Sequence, residues 1–509
     1  MRWCALTDPT IVLKLWAARR RAALARQDAG ATQRRVLARL LARAADTRFG
    51  QAHDFAAIRS VRDYQRRVPV RTYEEFWTRW WQPSFPDVGG VTWPGRMRYY
   101  ANSSGTTQAV TKRIPLSRAM LRANKSCALD VLAWHLAARP DSRVLASGGI
   151  FLGGTTDLER LAPGVAAGDL SGIAAIRTPI WARGRVLPPP AIAALRDWRE
   201  KMAALAPLAL QHPVASISGT ASWMLLFFET VASLRPPGAL LRHLFPELEL
   251  IVHGGVGFAP YRSRFAAWMQ GSAALTREVY AASEGFIAVA DRGDGEGLRL
   301  ILDRGLFYEF VRPGDLGSVS SGQGGPERRW IGNAVVGEEY ALVLSSNAGL
   351  WSYILGDTVR LVSLDPPRIL ISGRTAWSLS VAGEHLIGAE LDRAATEAAQ
   401  AVGRNLVEYS VAPVAPDEQD NRGGHLFAVE LDGPADAAEF GRALDAALRR
   451  LNEDYAAHRG DGFGLRDPDI RLLPPGSFTR WMERRNKLGA QNKVARVVGD
   501  AGALATLLS

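Results

Sequence analysis

Lysine is nearly absent from this 509-residue chain: six lysines stand against 56 arginines. Cysteine is scarcer still, with only Cys4 and Cys127, far apart. Two such cysteines build neither a disulfide framework nor a CxxC zinc site, which fits a reducing cytoplasm. The eight histidines are scattered singly, without HExxH or paired Cys/His spacing, and this argues against a protein-ligated transition metal. Long apolar runs are missing too. The longest, about residues 217–228, is too short to span a bilayer and ends at Glu229. Near the N-terminus the apolar residues 11–18 are broken by Lys14 and followed, not preceded, by the basic residues 19–21, the reverse of a secretory signal. The chain reads as soluble and cytoplasmic, with no membrane partner.

What is present is an ordinary globular composition: 47% apolar and 22% charged residues, with a mean hydropathy of −0.06. Disorder and fibrous structure are excluded. The net charge of +11 admits a nucleic-acid partner. Against that, residues 11–45 repeat Leu and Ala at helical spacing with no aromatics interleaved among their arginines. They read as one or two amphipathic helices with a solvated basic face. From 140 to 320, short apolar stretches such as 144–146, 248–252 and 278–282 run into Gly- or Ser-rich loops and alternate with helical segments. That alternation predicts α/β layers. Residues 298–364 switch to alternating strands and predict an antiparallel, barrel-like β-subdomain. Beyond 374 the pattern is helix (388–402), strand (406–413), strand (425–431) and helix (434–458), a small α+β domain. The expected organisation is residues 1–374 as one large α/β domain and 375–509 as a second.

Four clusters carry candidate chemistry. In residues 99–115, Ser103, Ser104, Gly105, Thr106 and Thr107 precede Lys112 and Ile114-Pro115, on a loop between an aromatic strand and a helical segment. Glycine lets backbone N–H groups converge, hydroxyls add donors, and Lys supplies a point charge, so the loop suits phosphates. It lacks the second glycine of a Walker A loop. In Val279-Tyr280-Ala281-Ala282-Ser283-Glu284-Gly285 a strand ends on a tyrosine and delivers a serine and an acid: groups for a purine, a phosphate and Mg²⁺. The third cluster is Tyr353-Ile354-Leu355-Gly356-Asp357, followed by Gly373-Arg374. There an Asp at the lip of a strand suits ribose hydroxyls and a Gly-Arg suits a hinge. The last, Gln491-Asn492-Lys493-Val494-Ala495-Arg496, keeps a lysine in a chain that otherwise uses arginine. Taken singly, each reads equally as a plain turn.

Taken together and in this order, they resemble the Gretchen Hagen family of acyl-acid amido synthetases, within the acyl-adenylate-forming superfamily. Further matches are Thr47-Arg48-Phe49-Gly50, Val68-Pro69-Val70 with Thr72-Tyr73-Glu74-Glu75-Phe76, Ser222-Trp223-Met224, Phe307-Tyr308-Glu309-Phe310 and Gly383-Glu384. Departures are Gln108 and Ala109 in the phosphate loop and Ala376 after the hinge.

The resemblance implies a large adenylate-forming N-terminal domain and a small mobile C-terminal one. It implies ATP and Mg²⁺ as cofactors and two half-reactions: a carboxylic acid is adenylated, then passed to an amine such as an amino acid. Ser103, Ser104, Gly105, Thr106 and Thr107 would hold phosphates, with Lys112 near the pyrophosphate. Val279 and Tyr280 would flank adenine, Ser283 the α-phosphate, and Glu284 the metal. Asp357 would take ribose, Arg374 the hinge, and Lys493 the reacting oxygens. Arg122, Trp223, Met224 and Phe258 would wall the acyl site. The expected partners are therefore small molecules, with a monomeric chain and no nucleic acid. Thioester formation with coenzyme A and non-enzymatic nucleic-acid binding stay open as alternatives.

Overall fold

In a computed structural model, the structure describes residues 8–104, 111–178, 180–255, 258, 261–293, 295–316, 326–374, 386, 388–414, 423–452, 455–456, 459, 465–484, 494–498 and 501–508. The chain is mixed α/β and falls into two compact units. The first comprises residues 1–104, 111–256 and 269–370; the second comprises 105–110, 257–268 and 371–509. No helix among the described residues is long and apolar enough to cross a membrane.

The N-terminal amphipathic segment forms two helices, Thr10–Ala25 and Ala29–Ala44. Asp28 starts the second by accepting a hydrogen bond from the Ala31 N–H at 2.7 Å, a cap worth ~1 kcal/mol. Val36, Leu37, Leu40, Leu41 and Ala44 recur on one buried face, while Arg34, Arg35, Arg39 and Arg43 stay exposed on the other. The basic face is solvated, as its spacing predicts. One polar residue on the buried face, Gln33, has every need met. Its amide donates to the carbonyls of Leu302 and Leu306, and its oxygen accepts from the Tyr308 N–H, each at 2.9 Å.

Leu306 and Tyr308 lie on the strand Leu306–Val311 of a twelve-stranded sheet. One half is parallel: Val186–Leu187, Gly148–Leu152, Val214–Gly219, Leu250–Gly254 and Leu275–Ala282 lie side by side. At Gly285–Val289 the chain turns back and the sheet continues with antiparallel pairings. Leu298–Leu300, Pro367–Arg374, Tyr353–Leu364, Glu339–Ser346, Leu306–Val311 and Arg329–Trp330 complete it in that order. The strands expected of a barrel-like subdomain thus extend the same sheet, edge to edge with its parallel half. The apolar triple 144–146 is not a strand. Its turn is closed by the Ala146 N–H donating to the Arg143 carbonyl at 2.7 Å, and Val144 packs with Ala17 and Leu136.

A smaller sheet orders Thr111–Leu116, Tyr99–Ser104, Val165–Gly168 and Glu159–Ala162. Ser103 and Ser104 therefore end the first strand of a β-hairpin, and Lys112 sits on its return strand. The helix Arg118–Ala138 begins only afterwards.

The second unit contains a three-stranded sheet, Leu406–Val414, Gly424–Leu431 and Asp469–Leu473. Alternate residues serve its two faces. Phe427 and Val429 pack with Leu391, Phe440 and Leu444 of the helices Gly388–Ala401 and Ala437–Leu451. Leu426 and Ala428 pack instead with Phe478, Trp481 and Leu504 of Ser477–Arg484 and Gly502–Leu508.

Candidate active site

The hairpin sets the first two groups by register. Ser103 lies opposite Lys112, and Ser104 opposite Thr111, so Ser103 and Lys112 share one face of the ribbon. The Lys112 Nζ stands 5.5 Å from the centre of the Tyr73 ring. Tyr73 is fixed in turn, its hydroxyl accepting the Arg113 backbone N–H at 2.8 Å. Tyr73 opens the short helix Tyr73–Phe76, which Thr72 and Glu75 close with a reciprocal capping box. The Thr-Tyr-Glu motif therefore braces the lysine strand from below.

The third and fourth groups come from a tight turn. Ser283 and Glu284 are the two residues joining Leu275–Ala282 to Gly285–Val289, and both are buried, at 6% and 5% exposure. A polar turn is ordinarily at the surface, where water serves its groups. Here the Tyr353 hydroxyl donates to Glu284 Oε1 at 3.1 Å. Burial pushes the Glu284 carboxyl above the ordinary carboxylate range, an effect that Lys112 and the Tyr353 hydrogen bond oppose and Asp357 reinforces. A lysine, two carboxylates and two tyrosines thus act on one another at this point.

Tyr280, two residues before the end of the strand Leu275–Ala282, donates its hydroxyl to Asp357 Oδ2. Asp357 follows Gly356, whose φ of +95° suits glycine alone. Val279 pairs with Gly254. A side chain at Gly254 would meet the Val279 carbonyl at 2.3 Å, so glycine is what permits this close approach of neighbouring strands.

Behind Tyr353 lies a closed polar network. Ser352 holds a φ of +44°, a strained conformation for a residue with a side chain. Its N–H donates to Ser345 Oγ at 2.9 Å and its hydroxyl to Glu309 Oε2 at 2.7 Å. Tyr64, Gln65 and Arg328 supply the remaining partners of this network. Arg328 is 3.4 Å from Glu309, with both side chains buried. The network fixes the backbone from which the Tyr353 ring projects.

Of the residues singled out by sequence, Ser103, Lys112, Val279, Tyr280, Ser283, Glu284 and Asp357 stand on these elements of the first unit. Glu284, Asp357, Lys112 and Tyr280 meet as described. Arg122 instead lines a depression with four other arginines. Trp223 packs on Trp198, ring centres 4.5 Å apart, and Met224 is fully buried in the helix Ala221–Ala232. Phe258 belongs to the second unit, edge-on to Phe265. Arg374 ends the strand Pro367–Arg374. Gly105, Thr106, Thr107 and Lys493 lie outside the described residues, as do Gln108, Ala109, Ala376, Gly383 and Glu384. Residue type alone does not mark Tyr73 and Tyr353 as site residues; both sit inside the family-like motifs, which is the available signal.

No group of three or more His, Cys, Asp and Glu side chains comes together as a metal cage among the described residues. Glu284 alone still fits Mg²⁺, which is usually held by one or two carboxylates together with substrate phosphates and water.

Residues 18–151 match the GH3 family N-terminal domain, 299–374 its central domain and 389–502 its C-terminal domain. The chain belongs to the GH3 family. Among curated relatives, a probable indole-3-acetic acid-amido synthetase of Oryza sativa subsp. japonica, GH3.4, is 28% identical over 208 residues, 38% of this chain and 33% of that protein. A putative indole-3-acetic acid-amido synthetase of Arabidopsis thaliana, GH3.9, is 23% identical over 319 residues, 59% and 51% of the two chains. This GH3 chain thus spans between a third and about half the length of these curated relatives. Among solved structures, the GH3.15 acyl acid amido synthetase superposes with a TM-score of 0.77 at 18% identity, covering 98% of this chain and 96% of that one. A 2-hydroxyisobutyryl-CoA ligase follows at a TM-score of 0.60 and 15% identity, covering 94% and 91%. These two likenesses establish a shared fold.

Proposed function

We propose that this GH3 protein is an ATP-dependent acyl-acid amido synthetase. It adenylates a carboxylic acid with release of pyrophosphate, then transfers the acyl group to an amine, an amino acid by preference, with release of AMP. The observation that carries the reading is the meeting of Lys112, Tyr280, Glu284 and Asp357, drawn from three distant stretches of a chain of this family.

The chemistry accounts for each group. A carboxylate acylates poorly because it is anionic and its oxide leaves badly. Attack on the α-phosphate of ATP makes the carbonyl electrophilic and supplies AMP as leaving group. Positioning and charge neutralisation carry such a transfer. Lys112 offsets charge on the departing pyrophosphate, while Ser103, Ser104, Gly105, Thr106 and Thr107 offer donors to the phosphates. Val279 and Tyr280 border adenine and Ser283 reaches the α-phosphate. Asp357, to which the Tyr280 hydroxyl donates, takes the ribose hydroxyls. Mg²⁺ bound at Glu284 would supply further charge neutralisation at the phosphates. Residues 1–374 form the nucleotide- and acyl-binding domain, with 298–364 as its β-rich part. Residues 375–509 form the mobile domain, with Arg374 at the hinge and Lys493 assigned to the α-phosphate. Trp223, Met224 and Phe258 are assigned to acyl selection, and Arg122 to the arginine-lined depression. The low cysteine content supports a cytoplasmic site of action.

The test is pyrophosphate release over a panel of carboxylic acids with Mg-ATP, followed by product analysis with amino acids or coenzyme A. An acid-dependent release that yields amides, and that falls in Lys112→Ala, is expected. A thioester as the sole product would replace amide formation by thioester formation. Silence across the panel, equal in wild type and variant, would overturn the synthetase reading.

A further inference from the structure

At the end of the hairpin away from its tip, where Tyr99 pairs with Leu116, the first unit has a depression of about 300 Å³. Five arginines line it: Arg96, Arg98, Arg118, Arg122 and Arg177. They come from separate stretches. Arg96 and Arg98 precede the strand Tyr99–Ser104, Arg118 and Arg122 stand one turn apart on the helix Arg118–Ala138, and Arg177 caps the helix Leu170–Ile176. All five are exposed.

Among the described residues they gather with no counter-charge beside them. No carboxylate lines the depression, and none of the five makes an ion pair among the described residues. Arg96 spends one N–H on the Pro163 carbonyl at 2.6 Å, and Arg177 rests 5.9 Å from the centre of the Tyr99 ring. Elsewhere Arg20 is paired with Asp130 and Asp303, Arg368 with Asp291, and Arg459 with Asp445. Like charges one helical turn apart repel, and a concave wall lined by one sign of charge focuses the field outwards. Guanidinium forks match the paired oxygens of phosphates and carboxylates. The start of the helix Arg118–Ala138 adds the positive end of its dipole. The volume is that of a small-molecule site.

We propose that this depression binds a small, multiply charged anion with clustered oxygens, an oligophosphate or a polycarboxylate. It is a site separate from the nucleotide residues at the other end of the same hairpin, and it stands whether or not the amido synthetase reading holds.

Calorimetric titration of the full chain at near-physiological salt tests it, with tripolyphosphate, citrate and acetate as separate probes. Arg98→Gln/Arg177→Gln reports on the depression and Arg177→Gln alone is a milder version. Arg35→Gln/Arg39→Gln, on the exposed helix face, is the charge-matched control, and Lys112→Ala reports binding at the nucleotide site. One tripolyphosphate or citrate per chain is expected, with acetate silent. Losing two charged hydrogen-bond donors should weaken binding at least roughly tenfold in Arg98→Gln/Arg177→Gln, with little change in the control or in Lys112→Ala. The tighter of the two probes names the source of the oxygens. Equal weakening in the control, loss in Lys112→Ala alone, or binding of a short DNA duplex without either small anion would each overturn the proposal.

Discussion

Glu284 and Glu309 are both buried acids of the first unit, yet the protein treats them in opposite ways. Glu309 is surrounded by donors: Gln65 and Ser352 reach its two oxygens, and Arg328 lies 3.4 Å away. Among the described residues Glu284 receives one side-chain hydrogen bond, from Tyr353, together with a backbone hydrogen bond and the field of Lys112. A saturated buried charge is a structural part, since removing one partner strands the others. An undersupplied one is held at a cost that a bound cation or a proton relieves. The difference separates scaffold from site more sharply than burial does.

The largest effect should come from breaking the saturated acid. Glu309→Ala leaves Arg328 buried and Ser352 without its acceptor, and should cost about 3–5 kcal/mol, read by denaturant unfolding. A mild loss of under about 1 kcal/mol would mean that the network is dispensable. At the undersupplied acid the sign should reverse. Glu284→Gln removes a charge that burial disfavours, so stability should hold or rise while pyrophosphate release falls by about 10²-fold. The pH dependence follows from the raised Glu284 pKa. The native state holds this proton more tightly than the unfolded chain, so native stability falls as pH rises from the ordinary carboxylate range through the raised value. The stability gain of Glu284→Gln should therefore be largest at neutral pH and vanish in acid, as thermal unfolding across pH would report.

A subtler change sharpens the contrast. Tyr353→Phe keeps the ring and deletes the hydroxyl that favours the charged form of Glu284. The acid limb of the pH–activity profile should move to higher pH, with roughly a tenfold loss below neutrality. An unmoved limb would detach Tyr353 from Glu284. The smallest effect belongs to the solvated basic face: Arg39→Gln should change stability by less than about 0.5 kcal/mol.

Periodicity made most of the architecture legible. The two N-terminal helices, the antiparallel strands from 298 onwards and the α+β tail follow from apolar spacing, which burial of a single face imposes. The element after the phosphate loop is a strand where the pattern predicts a helix. Thr111–Leu116, with its lysine, arginine and proline, carries little strand propensity and takes its conformation from pairing with Tyr99–Ser104. Burial of Ser283 and Glu284 was illegible for a related reason: a Ser-Glu-Gly turn is polar by composition, and only the packing of distant segments around it removes water. Tyr280, Glu284 and Asp357 could be picked out by type and order. The bracing of Glu284 by Tyr353 and of Lys112 by Tyr73 depends on contacts between elements far apart in sequence, which local pattern does not encode.

The hydrogen bond between Tyr64 and Ser345 joins positions 281 residues apart, and the Arg71–Tyr353 bridge lies just beyond it. Closing so wide a loop is entropically slow and comes late in folding. During synthesis the N-terminal segment must therefore wait until the strand Tyr353–Leu364 has emerged before Tyr353 and Glu284 take their places. On the proposed reading, the nucleotide residues form no working cleft on a partial chain, so the order of synthesis itself keeps an unfinished protein from engaging ATP.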